Sequence, residues 1–116
     1  MQVREAKLSD LKNLSVLFNS YRMFYGKESD LKVAEEFLRF RIENKDSKIF
    51  ICEFNNELSG FVKLYPIFSS TRVSKYWLLN DLFVDINKRG KGYSKLLIER
   101  SKELVIESKA CGMIAC

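Results

Sequence analysis

The residues with the most chemical promise lie in a short turn, Arg89-Gly90-Lys91-Gly92-Tyr93-Ser94, between an apolar stretch ending at Val84 and an amphipathic one beginning near Tyr93. Peptide N–H groups at the start of a helix have no partner within the helix and point toward an anion, and the helix dipole adds attraction. Glycines at 90 and 92 remove side chains, so a ligand can approach the backbone closely. Lys88, Arg89, Lys91 and Lys95 surround that point with positive charge. The chemistry suggested is binding of a pyrophosphate. The same residues also suit a plain turn followed by a solvated basic helix start. GxGxxG would mark a dinucleotide-binding loop, but the third glycine is absent, and no GK[ST] closes a Walker A loop.

Other catalytic classes are excluded by composition. The chain has 116 residues and no histidine, so it holds neither a Ser-His-Asp triad nor a histidine-ligated metal. Cys52, Cys111 and Cys116 are odd in number and form no CxxC, which argues against a disulfide framework or a zinc site and fits a reducing cytoplasm. A net charge of +5 favours an anionic partner, and charge alone leaves open nucleic acid, anionic lipid and a phosphorylated cofactor. The RNP, helix-turn-helix and zinc-finger patterns of nucleic-acid binders are absent. No apolar run approaches the ~20 residues of a membrane span, and the first ten residues carry no apolar core of a signal peptide. The expectation is no nucleic acid, no membrane and no metal.

The elements that must position the turn follow from periodicity. Residues 2–7 predict a strand. Ser9 is expected to cap a helix reaching about Tyr21, with Leu8, Leu11, Leu14, Leu17, Phe18 and Tyr21 on one face. A second helix is predicted from Ser29 or Asp30 to about Asn44, with Leu31, Ala34, Phe37, Leu38 and Ile42 as its stripe. Residues 48–54 and 58–66 predict a hairpin turning at Asn55-Asn56-Glu57, with Gly60 marking a bulge or close approach. Residues 68–74 read as a polar loop and 76–84 as a central strand. The helix after the glycine turn should bury Tyr93, Leu96, Leu97, Leu104 and Val105, and residues 112–116 begin a further strand. The predicted class is α+β, a mixed sheet with helices on its faces in the order β-α-α-β-β-β-α-β, forming one domain over residues 1–116.

Residues 80–97, NDLFVDINKRGKGYSKLL, resemble motif A of the GCN5-related N-acetyltransferase (GNAT) family. That motif runs Gln or Arg, two residues, Gly, one residue, then Gly or Ala. Arg89 and Gly92 match, and Ser94 departs from the last position while remaining small. Residues 80–84 are also similar to the strand of spermidine/spermine acetyltransferase-like members. The resemblance implies that the backbone of Leu82, Phe83 and Val84 pairs with the pantetheine arm of acetyl-CoA. Main-chain N–H groups of Arg89, Gly90, Lys91, Gly92, Tyr93 and Ser94 would bind its pyrophosphate, with Lys95 near the phosphates. A backbone N–H near Phe83 or Val84 would stabilise the thioester oxyanion.

Asp81 and Asn80 would lie beside the thioester as catalytic residues, although Asp81 also suits a hydrogen-bonding role within the fold. Asn80 aligns with an acidic residue of some polyamine-acetylating relatives, so a neutral amide there weakens a polyamine assignment. Glu53 is a further carboxylate that could act as a base. Tyr21, Phe24 and Tyr25 would line the acceptor pocket. Members of the family continue into another helix and a closing hairpin, and this sequence resembles a family domain without them, for which a homodimer is an expectation. The implied activity is transfer of acetyl from acetyl-CoA to a primary amine of a small molecule or amino acid. The alternative is a module that binds acetyl-CoA but is catalytically impaired.

Overall fold

The computed structural model describes residues 1–115, so Cys116 lies outside the described residues. The elements are β1 (Gln2–Glu5), α1 (Leu11–Phe24), α2 (Leu31–Asn44), β2 (Lys48–Phe54), β3 (Glu57–Ser69), β4 (Ser74–Val84), α3 (Tyr93–Glu107) and β5 (Gly112–Ala115). Single 3₁₀ turns at Leu8–Asp10 and Ile86–Lys88 are added to the expected order. The strands form one sheet ordered β1-β2-β3-β4-β5, antiparallel except for the parallel β4–β5 pair.

Alternation along the strands divides the core in two. Ile49, Ile51, Phe61 and Phe83 point to the face covered by α1 and α2, where they meet Leu14, Leu17, Phe18, Ala34 and Leu38. Phe50, Cys52, Val62, Leu64 and Trp77 point to the other face and meet Leu97 and Leu104 of α3. Each face thus buries a contiguous apolar layer, the dominant favourable contribution to folding. Leu8, Leu31 and Leu96, expected on the buried stripes, are instead exposed: Leu8 and Leu31 are the first residues of their elements, and Leu96 lies one position off the Leu97–Ser101–Leu104 line that α3 buries.

Several boundaries also differ from expectation. Asp10, not Ser9, is the N-cap residue of α1. Its carboxylate accepts from the Lys7 N–H at 2.8 Å and from both terminal nitrogens of Arg4 at 2.8 Å, which ties β1 to the helix start. That guanidinium holds the Asp10 carboxyl below its usual range. Asp30 does cap α2, accepting from the Val33 N–H at 3.1 Å. Asn55 and Asn56 both adopt positive φ, as a tight hairpin turn requires. β3 runs on through Pro66 to Ser69. Beyond Leu64 it has left β2 and pairs with β4 alone, an edge position that tolerates a residue without an N–H.

Two bulges shape the sheet's centre. Cys52 faces Gly60 while Glu53 faces Leu58, leaving Ser59 as the extra residue on β3. Next to it, a Cβ on Gly60 would sit 2.8 Å from the Phe83 carbonyl oxygen, so this glycine permits a close backbone approach. Lys63 faces Asp81 while Leu64 faces Leu79, leaving Asn80 as the extra residue on β4.

Candidate active site

The bulge at Asn80 decides which side chains meet. Trp77 and Leu79 pack toward α3, and uninterrupted alternation would send Asp81 the same way. One extra residue reverses the parity, as bulges do when they re-aim a side chain. Leu82 now takes the α3 face, while Asp81 and Phe83 turn toward α1 and α2.

There Asp81 enters a buried ion pair. Its Oδ2 lies 3.1 Å from Lys63 Nζ, and only 3% of the Lys63 side chain and 9% of that of Asp81 are exposed. The Tyr21 hydroxyl donates to Asp81 Oδ1 at 2.6 Å, and Asn80 Nδ2 donates to Oδ2 at 3.1 Å. The rings of Phe37, Tyr65 and Phe18 surround Lys63 Nζ at 4.4, 5.0 and 5.4 Å, giving it cation–π partners where water is excluded. A cleft of about 430 Å³ opens over this network, between α1, α2 and the sheet. Tyr21, Tyr25, Asn80 and Asp81 line it, together with Arg22, Lys27, Phe37, Lys63 and Tyr65.

Phe24 is placed elsewhere. Its ring packs on Phe83, and the Arg89 guanidinium lies 5.1 Å from the Phe24 ring and 5.5 Å from the Phe83 ring. It therefore belongs to the wall beside the glycine turn rather than to the cleft over Asp81. Glu53 lines neither cleft and instead hydrogen-bonds the Arg4 guanidinium at 3.3 Å.

A second cleft of about 310 Å³ lies at the C-terminal end of the same strand. Leu82, Phe83, Val84, Arg89, Gly90, Gly92, Tyr93 and Ser94 line it, together with Lys88. Lys91 and Lys95 stand outside the lining, and no ion pair holds either among the described residues. Lys88 is paired with Glu57 at 2.7 Å, and Arg89 Nε donates to the Val84 carbonyl at 3.0 Å. Two features of the backbone leave room for a ligand. β5 pairs with β4 only from Tyr76 to Leu79, so residues 81–84 have β3 on one side and no strand on the other among the described residues. Gly90 and Gly92 have φ of +84° and +79°, and a Cβ on either would meet nothing within 4 Å. The N–H groups of residues 90–95 make no hydrogen bond among the described residues, and the first helical bond is that from Leu96 to the Gly92 carbonyl.

This arrangement, an open strand edge running into a turn of unpaired N–H groups, accompanies a family match. The model of the acetyltransferase (GNAT) family matches residues 14–116. The chain belongs to the acetyltransferase (GNAT) family. It is 47% identical over 103 residues to the uncharacterized N-acetyltransferase YhfO of Bacillus subtilis, a match covering 89% of this chain and 69% of that protein. A crystal structure described as a probable acetyltransferase superposes with a TM-score of 0.94 at 34% identity, covering all of this chain and 79% of that one. A predicted acetyltransferase of Clostridium acetobutylicum, solved with acetyl-CoA, shares the fold at a TM-score of 0.81 and 16% identity, covering 99% of this chain and 79% of that one. The chain is thus a GNAT acetyltransferase, an enzyme of a family that uses acetyl-CoA.

Other centres are absent or inert. No group of metal-binding side chains occurs among the described residues. Burial pushes the Cys52 thiol up to about 11, so it stays protonated and is no nucleophile at neutral pH. Among the described residues no helix is long and apolar enough to cross a membrane. Sequence reasoning missed Lys63, Arg22 and Lys27. The signal for Lys63 was present: with Phe61 and Tyr65 it occupies one face of a strand whose neighbours are apolar.

Proposed function

We propose that the chain transfers acetyl from acetyl-CoA to a primary amine of a small molecule or amino acid, within a single domain over residues 1–116. The observation that carries the reading is the continuity of the open edge at residues 81–84 with the unpaired N–H groups of residues 90–95. The pantetheine arm would lie along Leu82, Phe83 and Val84 like an added strand. The pyrophosphate would take the space above Gly90 and Gly92, with the N–H groups of Tyr93 and Ser94 donating to it. Lys91 and Lys95 would act at longer range through charge, and Arg89 through the wall it forms with Phe24. The likeness of residues 80–84 to spermidine/spermine acetyltransferases is carried only as far as this donor strand. Free thiols at Cys52 and Cys111 support a cytoplasmic setting.

Consecutive residues of β4 serve the two substrates. Asn80 and Asp81 face the acceptor cleft, and Leu82 to Val84 line the donor cleft. The free amine adds to the thioester carbon, the C–S bond breaks, and the proton lost by nitrogen balances the one taken up by the leaving thiolate. Asp81, oriented by Tyr21, Lys63 and Asn80, is the carboxylate placed to accept a hydrogen bond from the amine and hold it for attack. A backbone N–H at Phe83 or Val84 would meet the oxyanion. Calorimetric titration with acetyl-CoA tests the donor half. Micromolar binding in the chain, lost in a folded Gly92→Val variant, is the expected result. Equal affinity in the two would remove the turn from the site.

A further inference from the structure

The acceptor cleft is positively charged in a way that its catalytic residues do not require. Three cations, Arg22, Lys27 and Lys63, and one anion, Asp81, line it. Lys63 and Asp81 neutralise each other at 3.1 Å, and Asp81 also accepts from Tyr21 and Asn80, which leaves room for one hydrogen bond from a neutral amine but no unpaired charge. Arg22 and Lys27 have no ion-pair partner among the described residues. Nη1 of Arg22 is also buried and makes no hydrogen bond, which is rare for a polar atom in a native fold.

Both the free charge and the unpaired donor are answered by one kind of ligand. A guanidinium presents a planar fork that matches a carboxylate, and such charge-assisted pairs are the strong hydrogen bonds of protein sites. A polyamine would instead bring further positive charge beside Arg22 and Lys27, with no free carboxylate to receive it, and juxtaposed like charges are how sites reject a wrong partner. Resting on the acetyl-transfer reading above, we propose that the acceptor is a free amino acid or similar amine that carries a carboxylate. The carboxylate is held by Arg22 and Lys27, and the amine lies toward Asp81 and the thioester. The rings of Tyr21, Tyr25, Phe37 and Tyr65 line the rest of the cleft and suit an apolar or aromatic side chain. In this account Arg22 and Lys27 determine specificity, and the bond-making chemistry stays at β4.

The test compares matched acceptors on the full chain. L-phenylalanine and L-leucine are assayed against their carboxamides and against spermidine, at constant ionic strength, with kcat/KM expressed per free amine because amidation lowers the amine pKa. The expected result is a preference of at least about tenfold for each amino acid over its amide, seen mainly in KM, with spermidine poorer than either; tenfold is the order expected for one charge-assisted contact. Arg22→Gln should bring the ratio toward one, and Lys27→Gln, at an exposed position that leaves folding intact, should reduce it several-fold. Binding of the same amines to the CoA-loaded chain, followed by NMR, reads the preference even where turnover is slow. If acetyl-CoA binds while amides or spermidine match the amino acids in turnover and binding, the carboxylate proposal falls and the transferase reading stands. If acetyl-CoA itself does not bind, the transferase reading falls and this proposal with it.

Discussion

The cleft beside α3 and the cleft between α1 and α2 share β4 as a wall, yet they are built from different chemical groups. The first offers backbone: unpaired N–H groups, an unpaired strand edge, and two glycines with open space above them. Of the cations around it, Lys88 and Arg89 line the cleft, while Lys91 and Lys95 stand outside the lining. The second offers side chains: a buried Lys63–Asp81 pair, a tyrosine hydroxyl, aromatic rings and two free cations. A backbone site recognises what is constant, which would suit the phosphates and amide arm of the proposed donor. A side-chain site can change with each substitution, so it is where specificity for the proposed acceptor would be set.

The sharpest way to break that contrast is to remove one member of the buried pair. Lys63→Met leaves the buried Asp81 carboxyl without its cation and should cost about 3–5 kcal/mol in urea unfolding, the range for breaking a buried pair by removing one partner. Adding Asp81→Leu should recover part of that loss while leaving acetyl transfer impaired. If Lys63→Met costs less than about 1 kcal/mol, the pair is not buried as described.

A smaller effect is expected on the backbone side. At Gly92 the φ of +79° makes any L side chain strained, so Gly92→Val should lower stability by about 1–2 kcal/mol. Acetyl-CoA affinity in the same variant should fall by more than the order of tenfold that this cost alone represents. Comparable losses in stability and affinity would mean that the glycine serves the turn's conformation and not the ligand.

The Arg4–Asp10 pair, with side chains 21% and 11% exposed, sharpens the comparison from outside both clefts. Asp10→Asn should cost about 2 kcal/mol at pH 7, the range for charged hydrogen bonds. Because the folded Asp10 carboxyl is held below its ordinary value, its stabilisation is present above the usual carboxylate range and disappears as pH falls through the folded value. Unfolding curves of the wild type and Asp10→Asn should therefore converge as pH drops from 7 to about 3. The smallest effect concerns the exposed cations: acetyl-CoA affinity should weaken only several-fold between about 0.05 and 0.5 M salt, and Lys91→Ala should flatten that dependence.

The glycine turn was legible in the sequence, and so were Tyr21, Tyr25, Asn80 and Asp81 as members of one cleft, but not the contacts that join them to Lys63, Arg22 and Lys27. Element order follows from local periodicity, and the glycine turn announces itself because only glycine sits easily at positive φ. The position of Asp81 could not be read locally. It depends on the extra residue at Asn80, and that bulge is fixed by which residues of β3 lie opposite. The same holds for β3 beyond Pro66, where a proline is tolerated only because β2 has already ended. Asp10 was overlooked as the cap because its selection rests on Arg4, six residues away and on a different element. Arg22 and Lys27 carry no local signal, and their setting arises only where α1, α2 and the sheet enclose a cleft around them.

The claim on which the account turns is that acetyl-CoA binds across the end of β4 and the glycine turn. Backbone amide NMR of the chain titrated with coenzyme A reads this directly. The largest shifts should fall on Phe83, Val84, Gly90, Gly92, Tyr93 and Ser94, with the amides of Arg41, Lys45 and Lys48, which line a separate cleft beside the end of α2 and the start of β2, unmoved. Shifts centred on Arg41, Lys45 and Lys48, with the glycine turn silent, would contradict it.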